Sequence, residues 1–262
     1  MHLLRSLLLA VLGSAVPACQ AVSNPSSVLT YEEASAAIRA MARDPRTPPR
    51  PILVLGGYRD VGLGPWWVAR DLARVICPRA IVRASFGFAT SFDACADAAV
   101  AAVELAFPSG EPDATVVVDV VAISMGGLVA RHAATARPGQ KRLRIARLFT
   151  ISSPHRGARL ASAMPAIDPL QDEMTRGSPF LARLDEALAE APIEIHAYTR
   201  LSDAIVGAEN AAPVGTNPLW VPARPLEPSH AAAVLDPLIR ADIMRRLRGE
   251  PPIFVEPHAP LP

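Results

Sequence analysis

From residue 51 onward, short apolar runs alternate with longer segments of helical periodicity. Residues 52–55 (Ile-Leu-Val-Leu) form a continuous apolar run halted by Gly56-Gly57, the pattern of a buried parallel strand. Residues 65–76 predict a helix, with Pro65 where a first turn tolerates it. Residues 80–84 predict a second strand, 92–107 an Ala-rich helix capped by Ser91, 115–123 a Val-rich strand and 126–136 a helix. A strand at 145–151 is followed by a long, partly helical stretch at 159–191. Strands at 193–198 and, more weakly, 219–221 lead to a final helix at 235–248. This alternation predicts an α/β architecture, a mostly parallel sheet with helices on both faces.

The first 50 residues follow another pattern. Met1 to Arg5 is a short positive start, and Leu7 to Val16 is an apolar stretch too short to span a bilayer comfortably. Residues 1–18 are therefore expected to be a cleaved signal peptide. Residues 19–50 are expected to be a tether, with a short helix at 31–42 and then Asp44-Pro45-Arg46-Thr47-Pro48-Pro49-Arg50-Pro51, whose prolines withhold donors and favour extended linker. Residues 51–250 are expected to be one domain and 251–262 a Pro-rich tail. The remaining length suits a single α/β core of about 210 residues.

Charge and cysteine content narrow the function classes. The chain of 262 residues has 26 Lys and Arg against 25 Asp and Glu, and Arg5 is the one charged residue of the predicted signal. The remainder is therefore balanced, with no basic stripe to recommend a nucleic-acid partner. Cys77 and Cys95 stay behind as an even pair if Cys19 is modified, and in an oxidising compartment they are a candidate disulfide; two buried apolar thiols are the alternative. The scattered Cys and His residues show no metal-ligand spacing, and no cofactor motif is present, so neither a metal nor a cofactor is expected.

The strongest chemical signal is Val118-Asp119-Val120-Val121-Ala122-Ile123-Ser124-Met125-Gly126-Gly127-Leu128-Val129-Ala130-Arg131. A strand ends at a serine and a helix starts within two residues. So abrupt a turn needs tiny neighbours two before and two after, and Ala122 and Gly126 stand there. The segment resembles the nucleophile elbow of the α/β-hydrolase family, especially bacterial lipases reading small-x-Ser-Met-Gly-Gly-Leu-Val-Ala-Arg. Ala122-Ile123 replaces the family's usual Gly-His. The resemblance covers residues 51–248 and implies the α/β-hydrolase fold with Ser124 as nucleophile.

A serine hydroxyl needs a base, and the base an orienting carboxylate. His2 leaves with the signal and His258 lies in the tail. His132 is eight residues along the helix from Ser124, roughly 12 Å away. His196 alternates with Ile193, Ile195 and Ala197 as a strand side chain. His155 follows a strand at the correct sheet edge and stays open as an alternative. His230 comes after the last strand and before the last helix, where the family places its base. Tyr198-Thr199-Arg200-Leu201-Ser202-Asp203-Ala204-Ile205-Val206 resembles the family's acid loop and implies Asp203 as the carboxylate. Asp168, Asp172 and Asp185 fall in the long insertion and are poorer candidates.

The oxyanion of acyl transfer needs two donors. The elbow supplies the backbone N–H of Met125. The family's loop after the first strand, commonly His-Gly-x, matches Gly56-Gly57-Tyr58 with Gly56 in place of His, which implies the N–H of Tyr58. Ile151-Ser152-Ser153-Pro154-His155-Arg156-Gly157 also resembles a lipase segment that shapes this edge. The insertion at about 158–191 carries an apolar side, including Met164, Ile167 and Leu170, and is expected to be a helical cap over an acyl pocket; a packed excursion is the alternative.

Together these imply a serine hydrolase of carboxylic, lipid or acyl, esters acting through an acyl-enzyme. An acyltransferase or amidase on envelope material, or a silent lipoprotein on the same scaffold, are the rivals, because fold alone does not fix chemistry. Val16-Pro17-Ala18-Cys19 resembles the lipobox of bacterial lipoproteins, which implies lipid attachment at Cys19 and membrane association. Gln20 in place of Asp suggests the outer membrane of a Gram-negative cell; periplasmic release or secretion is the alternative.

Overall fold

A computed structural model describes residues 22–262. The predicted signal and Cys19 lie outside the described residues. Among the described residues no helix is long and apolar enough to cross a membrane.

Six strands, β1 (Ile52–Leu55), β2 (Ile81–Ala84), β3 (Ala114–Ile123), β4 (Arg142–Ile151), β5 (Glu194–Arg200) and β6 (Leu219–Val221), form one parallel sheet in the order β2-β1-β3-β4-β5-β6. The chain steps from β1 outward to β2, then back across to β3. Its direction therefore reverses between β1 and β3, the place where open α/β sheets leave a crevice at their carboxyl ends.

The same reversal assigns the helices to faces. A right-handed crossover to the left and one to the right put their helices on opposite sides of a sheet. Accordingly α2 (Leu63–Leu72) packs on one face, while α3 (Phe92–Ala106) and α4 (Gly126–Ala134) pack on the other. Period-two alternation sends Leu53, Leu55, Val120 and Ala122 to the α3/α4 face, and Ile52, Val54 and Val121 to the α2 face. Cys95 belongs to the first core and Val75-Ile76, immediately before Cys77, to the second. Both cysteines are free thiols, because Cys95 lies in α3 on one face of the sheet while Cys77 follows Val75-Ile76 of the core on the other, and the disulfide expectation is corrected on that ground.

The segment read as a tether is also corrected, because it is part of the packed body. Helix α1 (Tyr31–Met41) starts with a capping box between Thr30 and Glu33. It lays Ala34, Ile38 and Met41 into the α2 core, beside α9 (Pro237–Leu247). Burying Ile38 and Met41 stabilises by about 1.5–3 kcal/mol each, more than a linker would forgo. The tail is packed too. Ser27 and Phe254 form an antiparallel bridge, and Val28 N–H donates to Ile253 O at 3.0 Å while Val255 N–H donates to Ser26 O at 3.0 Å. Ile253 and Phe254 are buried, and their amides donate to Asp242 Oδ1.

The insertion after β4 contains α5 (Arg159–Ala163), α6 (Pro169–Glu173) and α7 (Pro179–Glu190). Asp168 and Ser178 cap α6 and α7, each followed by proline in the first turn. The insertion divides in two. Leu170, Met174, Phe180, Leu181 and Leu184 are buried in the α3/α4 core, whereas Met164 and Ile167 are exposed. A packed excursion therefore accounts for its second half. A short helix α8 (Ser229–Ala232) precedes α9.

Candidate active site

Ser124 follows the last residue of β3 with φ +51°, a left-handed backbone that few non-glycine residues adopt. The tight turn leaves no space around it. A Cβ on Gly126 would lie 2.6 Å from Gly56 O, and one on Gly127 would collide with Ser153 Oγ. The Ser124 amide is anchored by donating to Ile151 O at 2.9 Å. Its hydroxyl is thereby held above the sheet edge, at the amino end of α4.

The hydroxyl lies 3.1 Å from His230 Nε2, and His230 Nδ1 lies 2.9 Å from Asp203 Oδ2. With Nδ1–H donating to the carboxylate, Nε2 is left as the acceptor for the serine proton. Asp203 has no exposed side-chain surface, and its other oxygen accepts from Ile205 N–H at 2.9 Å and Val206 N–H at 3.0 Å. Burial pushes this carboxyl up. The hydrogen bond and charge of His230, with the two amides, more than offset that and hold it below its ordinary value. The three residues expected from the sequence are thus brought together from the ends of β3, β5 and β6.

The backbone beside Ser124 completes the arrangement. Gly57 follows β1, and a Cβ there would lie 3.4 Å from Ser124 Cβ, so the Gly57–Tyr58 peptide runs alongside Ser124. Met125 is fully buried. Neither the Tyr58 nor the Met125 amide has an acceptor among the described residues. Two free N–H groups at the switch point between β1 and β3 can receive a negative oxygen.

His155, the alternative base, points into the interior. It is fully buried, with Nδ1 3.3 Å from Arg131 Nη1 and Nε2 3.1 Å from Thr150 Oγ1. Since the guanidinium only donates, Nδ1 accepts, and Nε2–H donates to Thr150. Burial, then Arg131 and Arg156, hold its pKa far below the ordinary histidine value, so it stays neutral. His132 and His196 pair with Asp93 and Glu194 away from the triad.

A contact the sequence did not disclose involves Asp168. Its Oδ2 accepts from Tyr58 Oη at 2.6 Å and from Arg59 Nη2 at 2.6 Å. The Asp168-Pro169 pair signals a helix start, but nothing in it points to a partner 110 residues away. Among the described residues no cluster of His, Cys, Asp and Glu has the arrangement of a metal site.

No protein-family model matches the chain, and no curated protein matches it. Solved structures share its architecture. Lipase B of Aspergillus fumigatus superposes with a TM-score of 0.52 at 15% identity, over 78% of this chain and 53% of its own. Phospholipase PlaB from Legionella pneumophila, in complex with thio-NAD, superposes with a TM-score of 0.50 at 14% identity, over 76% of this chain and 59% of its own. The chain spans little more than half the length of these two. At this identity the likeness establishes the α/β-hydrolase fold.

Proposed function

We propose that the chain is a serine hydrolase of carboxylic esters with an apolar acyl part, working through an acyl-enzyme. The observation that carries this is the relay from Asp203 through His230 to Ser124, set beside two free backbone donors. Ser124 Oγ attacks the ester carbonyl carbon while His230 Nε2 takes its proton. The N–H groups of Met125 and Tyr58 stabilise the oxygen as it becomes negative. Collapse expels the alcohol, which receives the proton from His230. Water, deprotonated by the same nitrogen, then attacks the acyl-enzyme, releasing the acid and restoring Ser124.

The acyl preference rests on the surface around the site. Val61, Leu63, Phe88, Met164, Ile167 and Leu226 are exposed large apolar residues, all on connections that follow the carboxyl ends of strands, at the edge that carries Ser124. Apolar surface on these connections favours a lipid-like substrate over a polar one. Neighbours on the same fold that are a lipase and a phospholipase agree with this assignment. Labelling the full chain with a fluorophosphonate, then assaying p-nitrophenyl esters of increasing acyl length, tests it. Stoichiometric labelling of Ser124 with rates rising toward longer chains is expected; an unlabelled protein inert to every ester overturns it.

We also propose export and lipid attachment at Cys19, on the sequence of residues 1–20. One acyl chain binds a bilayer only marginally, and several together hold it. The Cys19→Ser variant is expected in the soluble fraction with activity intact. A wild-type chain already soluble, with an unmodified thiol by mass spectrometry, overturns the attachment.

A further inference from the structure

The Tyr58–Arg59 turn is fixed unequally at its two ends. Its base is anchored to the framework, because Asp60 accepts from the amides of Gly62 at 2.6 Å and Gly64 at 3.1 Å, and its carbonyl accepts from Phe86 N–H at 3.2 Å. A hydrogen bond from Asp60 N–H to Gly57 O at 3.3 Å closes the turn. At the tip, Arg59 has φ +56°, a left-handed conformation costly for any residue except glycine. Such a conformation persists only where surrounding contacts determine it.

Beside that backbone hydrogen bond, the side-chain contacts come from one carboxylate. Tyr58 Oη and Arg59 Nη2 converge on Oδ2 of Asp168, each at 2.6 Å, and the Arg59 guanidinium lies 5.5 Å from the Tyr58 ring centre. The other oxygen of Asp168 caps α6 by accepting from Gln171 N–H at 2.9 Å. Helix α6 is itself seated by Leu170 and Met174 in the α3/α4 core. Asp168 is thus a fixed post, and two consecutive side chains of a strained turn are tied to it.

We propose that Asp168 is a positioning residue for the oxyanion site: it holds the Tyr58–Arg59 turn so that the Tyr58 N–H faces the oxygen of the acyl group on Ser124. This rests on the serine-hydrolase assignment and on Tyr58 as a donor. It gives the insertion after β4 a part in catalysis, since its α6 end sets the geometry of a loop on β1.

Asp168→Ser separates this role from a structural one, because serine caps a helix as well as aspartate but is too short to reach Tyr58 and Arg59. In the full chain, kcat for a short p-nitrophenyl ester is expected to fall about ten- to hundredfold. The rate constant for fluorophosphonate labelling should fall by a similar factor, since the phosphonyl oxygen occupies the same donors. KM should move less than about threefold and the unfolding midpoint hardly at all. Tyr58→Phe, which deletes one hydroxyl, should give a smaller loss in the same direction. The double variant should lose less than the product of the two, as residues sharing one contact do. Wild-type labelling at Ser124 together with unimpaired labelling and kcat in both single variants overturns the positioning role alone. Multiplicative losses overturn it as well. A wild-type chain that is not labelled overturns the hydrolase assignment, and the role of Asp168 with it.

Discussion

His155 and His230 both leave the sheet at the edge that carries Ser124, each in the connection after a strand, and their surroundings differ in every respect that matters to a base. His230 is partly exposed, donates to a buried carboxylate and turns its free nitrogen to a hydroxyl. His155 is sealed among Arg131, Thr150 and the turn after β4, with an arginine where a base would need an anion. A neighbouring cation and burial both disfavour an imidazolium, so His155 cannot hold the proton that general-base catalysis would hand it. The contrast sets the histidine proposed as the base against one whose surroundings suit packing, and it can be attacked from both sides.

The largest effects belong to the triad. Ser124→Ala is expected to abolish fluorophosphonate labelling and lower ester turnover about 10⁴- to 10⁶-fold, with the unfolding midpoint unchanged. His230→Ala should lower kcat about 10³- to 10⁶-fold by the same assay. His155→Ala should leave kcat of the folded protein within about tenfold, while costing about 2–4 kcal/mol of stability in urea unfolding, since it opens a cavity and leaves Arg131 Nη1 without its partner, Nη2 staying on Asp185. A reversal of the two histidine results would transfer the base to His155.

Acid titration provides a gentler test. A histidine kept neutral in the fold but free to protonate near pH 6.5 when unfolded leaves the unfolded state with more protons below that pH. Stability should therefore be intact above about pH 6.5 and decline as the pH falls below it. The slope contributed by His155 is at most about 1.4 kcal/mol per pH unit. His196, whose pKa burial and Arg246 also lower, acts in the same direction. Asp203, depressed in the fold, adds its own loss only as the pH falls below about 4. Unfolding of a His155→Gln variant between pH 7 and 5 should have a visibly shallower slope than wild type. An identical slope would mean that His155 is protonated in the fold.

The smallest expected effect concerns the thiols. Burial and the Glu173 charge push Cys95 up to about 12, so iodoacetamide should modify Cys77 in the native protein and Cys95 only after unfolding. A reductant should leave the unfolding midpoint unchanged. A midpoint that drops on reduction would restore the disulfide.

Much of this site was legible in the sequence because its parts sit at the ends of strands, where a short apolar run and a following turn mark the place. Ser124 declares itself through Ala122 and Gly126, and His230 through its position after the last strand. Asp168 was passed over as the acid and left unassigned otherwise, because its partners are set by the folding of an insertion back onto the β1 loop. The first three residues of β4, 142–144, also lie outside the strand expected at 145–151. There Arg142 and Arg144 face out and only Leu143 is buried, an alternation too short to stand out. The Pro-rich ends read as linker because proline content reports what a segment cannot donate, not whether its few apolar residues find a core. The pairing of Ser27 with Phe254 depends on two stretches that meet only in the folded chain.

That pairing carries a mechanical consequence if Cys19 is a lipid anchor. Asn24 is already buried, its amide donating to Trp220 O at 2.7 Å. Only residues 20–23 separate it from the anchor, and the Cys19-to-Asn24 span can stretch to at most about 18 Å. A leash that short is a hinge pin more than a tether. It would hold Asn24, and with it the β6 side of the packed body, within about that distance of the membrane surface, so the body could turn about this point but not drift from it.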